Sequence, residues 1–405
     1  PRAHATATPR PPATATPVPG ATATPRPPAT ATPVPTGGLR PLSEWTVDNP
    51  ATKEELAVEL EKHRGETVIW YEWGGIYNSK TQLGWLNPIT DKFGIQFLLD
   101  SPVQYAKVRA AALTGNIPWH IGNGSGQASW SLGLDGALEE LDFSIIDIRD
   151  YDEVVTAPWF FPGYAWTNAV AYSTETYPDG LPDMAAFFDF ERFPGRRMIA
   201  SPGWSWKTTL RFALLSENPD LLNTAEGKAS LAQMSDEQIA RAFEIMEEFG
   251  PNISAWWTGG ADAPSLILSG EIDMSTSWAS GVGNAIAAGE PIEICWNCGH
   301  LLATEPYWIP KGLKEQDPRA YELANLVLAW INVPENFVNI MEHIAWGPVN
   351  PKAIALMDDP RFDALRPYVP TAPANVQYGI WGDQRWDGEN TDIIGELWLE
   401  YTTNY

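Results

Sequence analysis

The sequence predicts an α/β protein built as two lobes, each with a largely parallel sheet. Three observations carry this. Strand-like and helix-like segments alternate at short spacing from about residue 52, the alternation restarts after Phe161, and two strand-like stretches near 161–166 and 300–307 are placed to cross between the halves. With 405 residues the chain is long enough for both lobes to bury a core.

Residues 1–42 read as a disordered Pro/Thr/Ala linker. The unit ATATPRPPATATPVPG from Ala5 recurs from Ala21 as ATATPRPPATATPVPT, and its prolines remove backbone donors while no large apolar residue offers a core. Such stalks lift a domain off a surface, and a lipid-modified cysteine upstream would fit one. The sequence starts at Pro1 with neither Met nor signal sequence, as expected of a processed chain or of an excised piece of one.

The expected domains are a first lobe over 43–164, a second over 165–303, and a return to the first with C-terminal helices over 304–405. A helix over 52–63 places Leu56 and Leu60 on one face. A strand follows at 67–71, then the Gly74-Gly75 loop, a helix over 79–93 and a strand over 95–99. Ser101-Pro102 suits an N-cap and first turn, opening a helix to Leu113. After Phe161, strands are expected at 165–173, 197–200 and 272–278. Helices are expected at 207–215, 234–249 and up to Ala288. From Glu305 the pattern is strand, then a helix over 318–331, then further helices.

Composition excludes some partners. Asp plus Glu number 51 against 26 Lys plus Arg, a net charge of -25 that repels nucleic acid. No run of 18 apolar residues is present to span a membrane. Cys295 and Cys298 are the only cysteines; the spacing lacks the further ligands of a zinc site, and buried free thiols are the reading preferred over one small-loop disulfide. Neither a GxSxG elbow nor a phosphate loop is found, and the five His are scattered, so no catalytic residue, metal or cofactor is expected. The twenty Trp residues exceed ordinary usage, and indoles suit planar, sugar-like or cationic ligands.

Six motifs in order resemble the spermidine/putrescine-type extracellular solute-binding proteins of ABC importers. They are Trp73-Gly74-Gly75-Ile76-Tyr77, the stretch AALTGNIPW at 111–119, Phe193-Pro194-Gly195-Arg196-Arg197, Gly270-Glu271-Ile272-Asp273 with Trp278, Trp308-Ile309-Pro310-Lys311-Gly312, and Trp346-Gly347-Pro348-Val349-Asn350-Pro351-Lys352. The resemblance implies a two-lobed type II periplasmic-binding-protein fold with two crossing hinge strands, closing on a ligand between the lobes. It also implies a monomer outside the cytoplasm, serving an ABC permease and its ATPase. No enzyme activity is implied.

Carried over residue by residue, the resemblance places Trp73, Gly74 and Tyr77 after the first strand, and Ser125 and Gln127 in a ligand-facing loop. Trp278, with Trp257 leading towards it, supplies a wall from the second lobe. Glu305 lies beside the return strand, and Trp346 stands where the family often has Tyr. One departure matters. Polyamine binders place further carboxylates where this chain reads Ser201-Pro202-Gly203-Trp204-Ser205-Trp206-Lys207, with no acid. The expected ligand is therefore a small organic cation, polyamine-like or a quaternary ammonium. The alternatives are a carbohydrate or other neutral solute stacked on Trp204 and Trp206, or more remotely a Trp-lined glycosidase.

Overall fold

A computed structural model describes residues 38–152, 155–201 and 206–405. The expected linker falls almost wholly outside the described residues, and so does Trp204.

The alternation seen in sequence becomes one continuous sheet running through two helix-covered lobes. In the first, β1 (Thr67–Tyr71) lies parallel between β2 (Gln96–Asp100) and β3 (Ile121–Asn123). β4 (Phe160–Ser173) then leads into β5 (Arg197–Ala200), β6 (Ile253–Trp257) and β7 (Met274–Trp278). β5 lies parallel between β6 and β7. Next come β8 (Ile292–Cys295) and β9 (His300–Trp308), and finally β10 (Gly379–Trp381). The strand order is β2-β1-β3-β9-β4-β7-β5-β6, with β8 on β4 and β10 on β9.

β4 and β9 form the antiparallel ribbon that carries the chain between lobes, as the sequence predicted. Their register runs from Phe160 opposite Trp308 to Asn168 opposite Leu301. Thirteen of the fourteen residues of β4 are buried, because the strand belongs to both cores. Phe160, Phe161 and Tyr164 enter the first-lobe core with Trp70, Trp85 and Trp308. Beyond the crossing, successive residues separate by strand parity: Val170 enters a core with Ile199, Leu210 and Met246, whereas Ala169 and Ala171 face Met198, Trp257 and Val282. The second-lobe sheet is thus covered on both faces, as parallel sheets require. The register slips between Pro162 and Tyr164. Gly163 sits in the slip, where a Cβ would lie 2.2 Å from the Tyr307 ring, so only glycine lets the two strands approach there.

Several helices carry their own start signals. Thr52 and Glu55 form a capping box for Lys53–Glu61, Ser235 and Gln238 form another for Asp236–Phe249, and Asp317 caps Pro318–Asn332. The expected helix over 79–93 begins earlier, at Ile76, and widens through a π-turn at Gln82–Leu86 before Asn87–Phe93. Pro88 explains the widening: it lacks an N–H and its ring presses on the carbonyl four residues back, which a π-turn relieves.

Two expectations fail. Ser101-Pro102 opens no helix; its peptide bond is cis, and the helix is Tyr105–Thr114. The Val103 N–H donates to the Glu72 carbonyl and the Gln104 N–H to the Tyr71 hydroxyl, so the segment is tied to the end of β1. Cys295 and Cys298 are disulfide-bonded rather than free. The 3-10 turn Trp296–Cys298 folds the two Cα atoms to 5.3 Å, within bonding reach. The last helix, Thr391–Thr402, adds a further feature: it inserts Ile394, Trp398 and Tyr401 into the second-lobe core.

Candidate ligand-binding cleft

Where β4 and β9 cross, their period of two turns the same residues of each strand towards one cavity of about 730 Å³. Its floor is three directly opposed pairs: Tyr164 with Glu305, Trp166 with Ala303, and Asn168 with Leu301. The walls come from the carboxyl ends of strands, the usual place for ligands in open α/β sheets. β1 delivers Trp73 and the helix Ile76–Thr81 delivers Tyr77 from one side; β7 delivers Trp278 from the other. Two helix starts close the remaining corner, with Ser125 and Gln127 at Gly126–Leu134 and Lys207 at Trp206–Glu217. The segment 382–392 forms the rim with Gln384 and Asp392.

The aromatic wall is layered. Trp346 stacks on Tyr164 at 3.7 Å between centroids and 6°, and on Tyr77 at 5.7 Å and 10°. Trp278 meets the edge of Tyr77 at 6.3 Å and that of Trp166 at 6.5 Å, so rings from both lobes touch across the cavity. Such offset and edge contacts are the favoured ring geometries.

Glu305 is the acid of this aromatic corner. It is only 4 % exposed, and the Trp73 indole N–H donates to it at 2.5 Å. Burial pushes its carboxyl up to about 7, against the pull of the Trp73 and Trp166 indoles and of Lys207. A second acid, Glu72, lies beneath. It accepts from the Thr81 hydroxyl at 3.1 Å, and burial pushes it up to about 7 as well, against the pull of the Trp70 indole and the Thr81 hydroxyl. Burial raises the Tyr77 phenol too, with Glu305 adding to the effect.

Of the residues expected from sequence, Trp73, Tyr77, Ser125, Gln127, Trp278, Glu305 and Trp346 do line the cavity. Trp346 shows it little more than an edge, being 1 % exposed. Three others are elsewhere. Gly74 turns the chain out of β1 at φ +92°, where a Cβ would press on Ser101, so its role is in the backbone. Trp206 packs into the core with Leu210 and Phe212. Trp257 is buried beside Ala263 and Ile267, with its indole N–H on the Thr276 hydroxyl at 3.2 Å.

Sequence reasoning missed Tyr164, Trp166, Asn168 and Lys207. Parity could have found the first three: once Glu305 faces the cleft and the two strands pair, residues 164, 166 and 168 must face it as well. Among the described residues no three His, Cys, Asp or Glu converge to hold a metal ion, and no helix is long and apolar enough to cross a membrane.

Comparison with known proteins agrees with this fold. The γ-aminobutyric acid-binding protein of Pseudomonas aeruginosa is 26% identical over 317 residues, 77% of this chain and 83% of that protein. An ABC transporter substrate-binding protein from Bradyrhizobium japonicum superposes with a TM-score of 0.71 at 25% identity, covering 83% of this chain and 99% of the other. The spermidine/putrescine substrate-binding protein of Streptococcus pneumoniae shares the fold, with a TM-score of 0.60 at 14% identity over 83% of this chain and 99% of its own. Such proteins bind small solutes outside the cytoplasm and hand them to a permease driven by an ATPase; they are not enzymes. Over residues 87–365 the sequence matches the bacterial extracellular solute-binding protein family, and the chain belongs to that family.

Proposed function

We propose that the cleft captures a small organic ligand through a positively charged head, and that hinge closure about β4 and β9 traps it. The observation that carries this is the buried Glu305 set among Trp73, Tyr77 and Trp278. A desolvated ammonium needs a carboxylate or aromatic faces, and here both converge. Each cation–π contact contributes roughly 0.5–2 kcal/mol, while micromolar affinity needs about 8 kcal/mol in total. Two or three rings with one charge-assisted hydrogen bond come close to that sum. The relatives named for γ-aminobutyric acid and for spermidine/putrescine are named for amines, which supports the same reading.

Trp73, Tyr77, Ser125, Gln127, Trp278, Glu305 and Trp346 are the proposed contacts. The proposed lobes meet near 164/165 and 303/304, with the final helix joining the second lobe through Trp398 and Tyr401. A ligand touching both lobes binds the closed form better and shifts the population towards it. A monomer tethered by the N-terminal stalk to a lipid-anchored cysteine completes the proposal. Thermal-shift screening tests it with amines and betaines against oligosaccharides. A stabilising amine at a hundredfold excess over its dissociation constant adds about 2.7 kcal/mol. Stabilisation by oligosaccharides alone would overturn the cationic reading.

A further inference from the structure

We propose that the ligand is a zwitterion, its ammonium held at Glu305 and a carboxylate or similar small anion held by Lys207. This rests on the cationic reading above and adds the charge of the other end.

Lys207 lines the cavity, is only 7 % exposed, and donates to the Gln127 side-chain carbonyl at 2.6 Å. That neutral amide is its one hydrogen-bond partner among the described residues, and no carboxylate there lies within ion-pair distance. The adjoining stretch 202–205 reads Pro-Gly-Trp-Ser and has no acid to offer. One turn along the same helix, Arg211 shows how this fold treats a structural cation. It is fully buried, pairs with Asp387 at 2.8 Å, and donates to the carbonyls of Lys207, Leu231 and Ala232. The two neighbours are thus handled oppositely: Arg211 has a carboxylate and three carbonyls for its five donors, whereas Lys207 has one neutral acceptor among the described residues for its three.

A buried charge without a counter-ion is costly. The cost is greater here because the helices Gly126–Leu134 and Trp206–Glu217 both start beside Lys207, and helix starts disfavour cations. Burial accordingly lowers the lysine's proton affinity, with the more distant Asp387 and Glu305 opposing the effect and Arg211 adding to it. An arriving carboxylate relieves both penalties, since the same helix starts attract anions. Glu305 and Lys207 form no ion pair with each other among the described contacts, so each stays available to one end of a ligand. A diamine fits this arrangement badly, because its second ammonium would face Lys207. The class that fits is an ω-amino acid or a betaine.

Isothermal titration at pH 8 decides the matter, using straight-chain ω-amino acids from glycine to 6-aminohexanoate, glycine betaine, and the diamines and monoamines of matching length. The protein is titrated intact and as Lys207→Met and Glu305→Gln, with melting curves as the control for folding. A zwitterion in the series is expected to bind at least about 100-fold tighter than the matching diamine. Lys207→Met should weaken that zwitterion about 30-fold or more while changing the monoamine less than about threefold. Equal binding of diamine and zwitterion overturns the inference. So does an equal loss for zwitterion and monoamine, which would make Lys207 a latch onto Gln127. The underlying cationic reading fails separately if Glu305→Gln leaves every amine unaffected, and silence from every probe overturns both.

Discussion

The cavity's two walls are built on different principles. On the first-lobe side Tyr77, Trp346 and Tyr164 form a stack whose inner members are 1 % and 3 % exposed, so this wall is an extension of the core. On the second-lobe side Trp278 stands half-buried at the end of β7, and Lys207, in the first turn of a helix, has one neutral partner among the described residues. One wall is finished before any ligand arrives; the other presents groups that a ligand would complete. Two tryptophans facing the same cavity should therefore behave differently when removed.

The largest expected effect is on the finished wall. Trp346→Ala should cost about 3–5 kcal/mol of folding stability, read by urea denaturation, because it empties the centre of a packed stack. A loss below about 1 kcal/mol would dissolve the contrast between the walls.

Next comes the acid on the floor. Glu305 titrates near 7 in the folded chain against 4.5 for the free side chain. Its folded value is raised, so folding is favoured while it stays protonated, and stability falls as pH climbs from about 4.5 to 7. At 1.36 kcal/mol per unit the penalty reaches about 3 kcal/mol at most. Glu305→Gln should then be the more stable protein above pH 7 and lose that advantage near pH 4.5. Cation affinity should move the other way in the native protein, falling about tenfold per unit as pH drops below 7, since an ammonium needs the ionised acid. Glu72 titrates in the same range and adjoins it, so the observed midpoint belongs to the pair. A pH-independent affinity for a quaternary ammonium ligand between pH 5 and 8 would remove Glu305 from the site.

On the open wall, Trp278→Ala should weaken ligand binding at least about tenfold, near 1.4 kcal/mol, with the circular-dichroism melting curve little changed. Unchanged affinity would make Trp278 a core residue like Trp257. The smallest effect is expected for Tyr77→Phe: the ring stays on Trp346, so affinity by titration should change less than about threefold.

Legibility from sequence followed the range of the forces involved. Strand β1, the helix after Ser235 and the crossing strands are written locally, in β-branched runs, caps and near-continuous apolar runs. Aromatic lining was half legible: Trp73 and Trp278 face the cleft, yet Trp206 and Trp257, which look alike in sequence, serve cores. Indole burial is decided by which face of the sheet a residue meets, and that depends on the partner layer. The disulfide followed the same rule, since a 3-10 turn rather than the spacing of two cysteines set their approach.

Taken alone, the sequence determined the alternation of strands and helices and the pair of crossing strands, because strand and helix periods are short-range properties of the chain; the acid and aromatic residues of the cleft came from the resemblance instead. Only the tertiary structure decided that Tyr164, Trp166 and Asn168 share a floor with Glu305, and that Lys207 faces the same cavity from the other lobe. The physical reason is that cross-strand register and lobe packing join residues far apart in the chain, 80 positions for Lys207 and Gln127, and no local preference records which of them will meet.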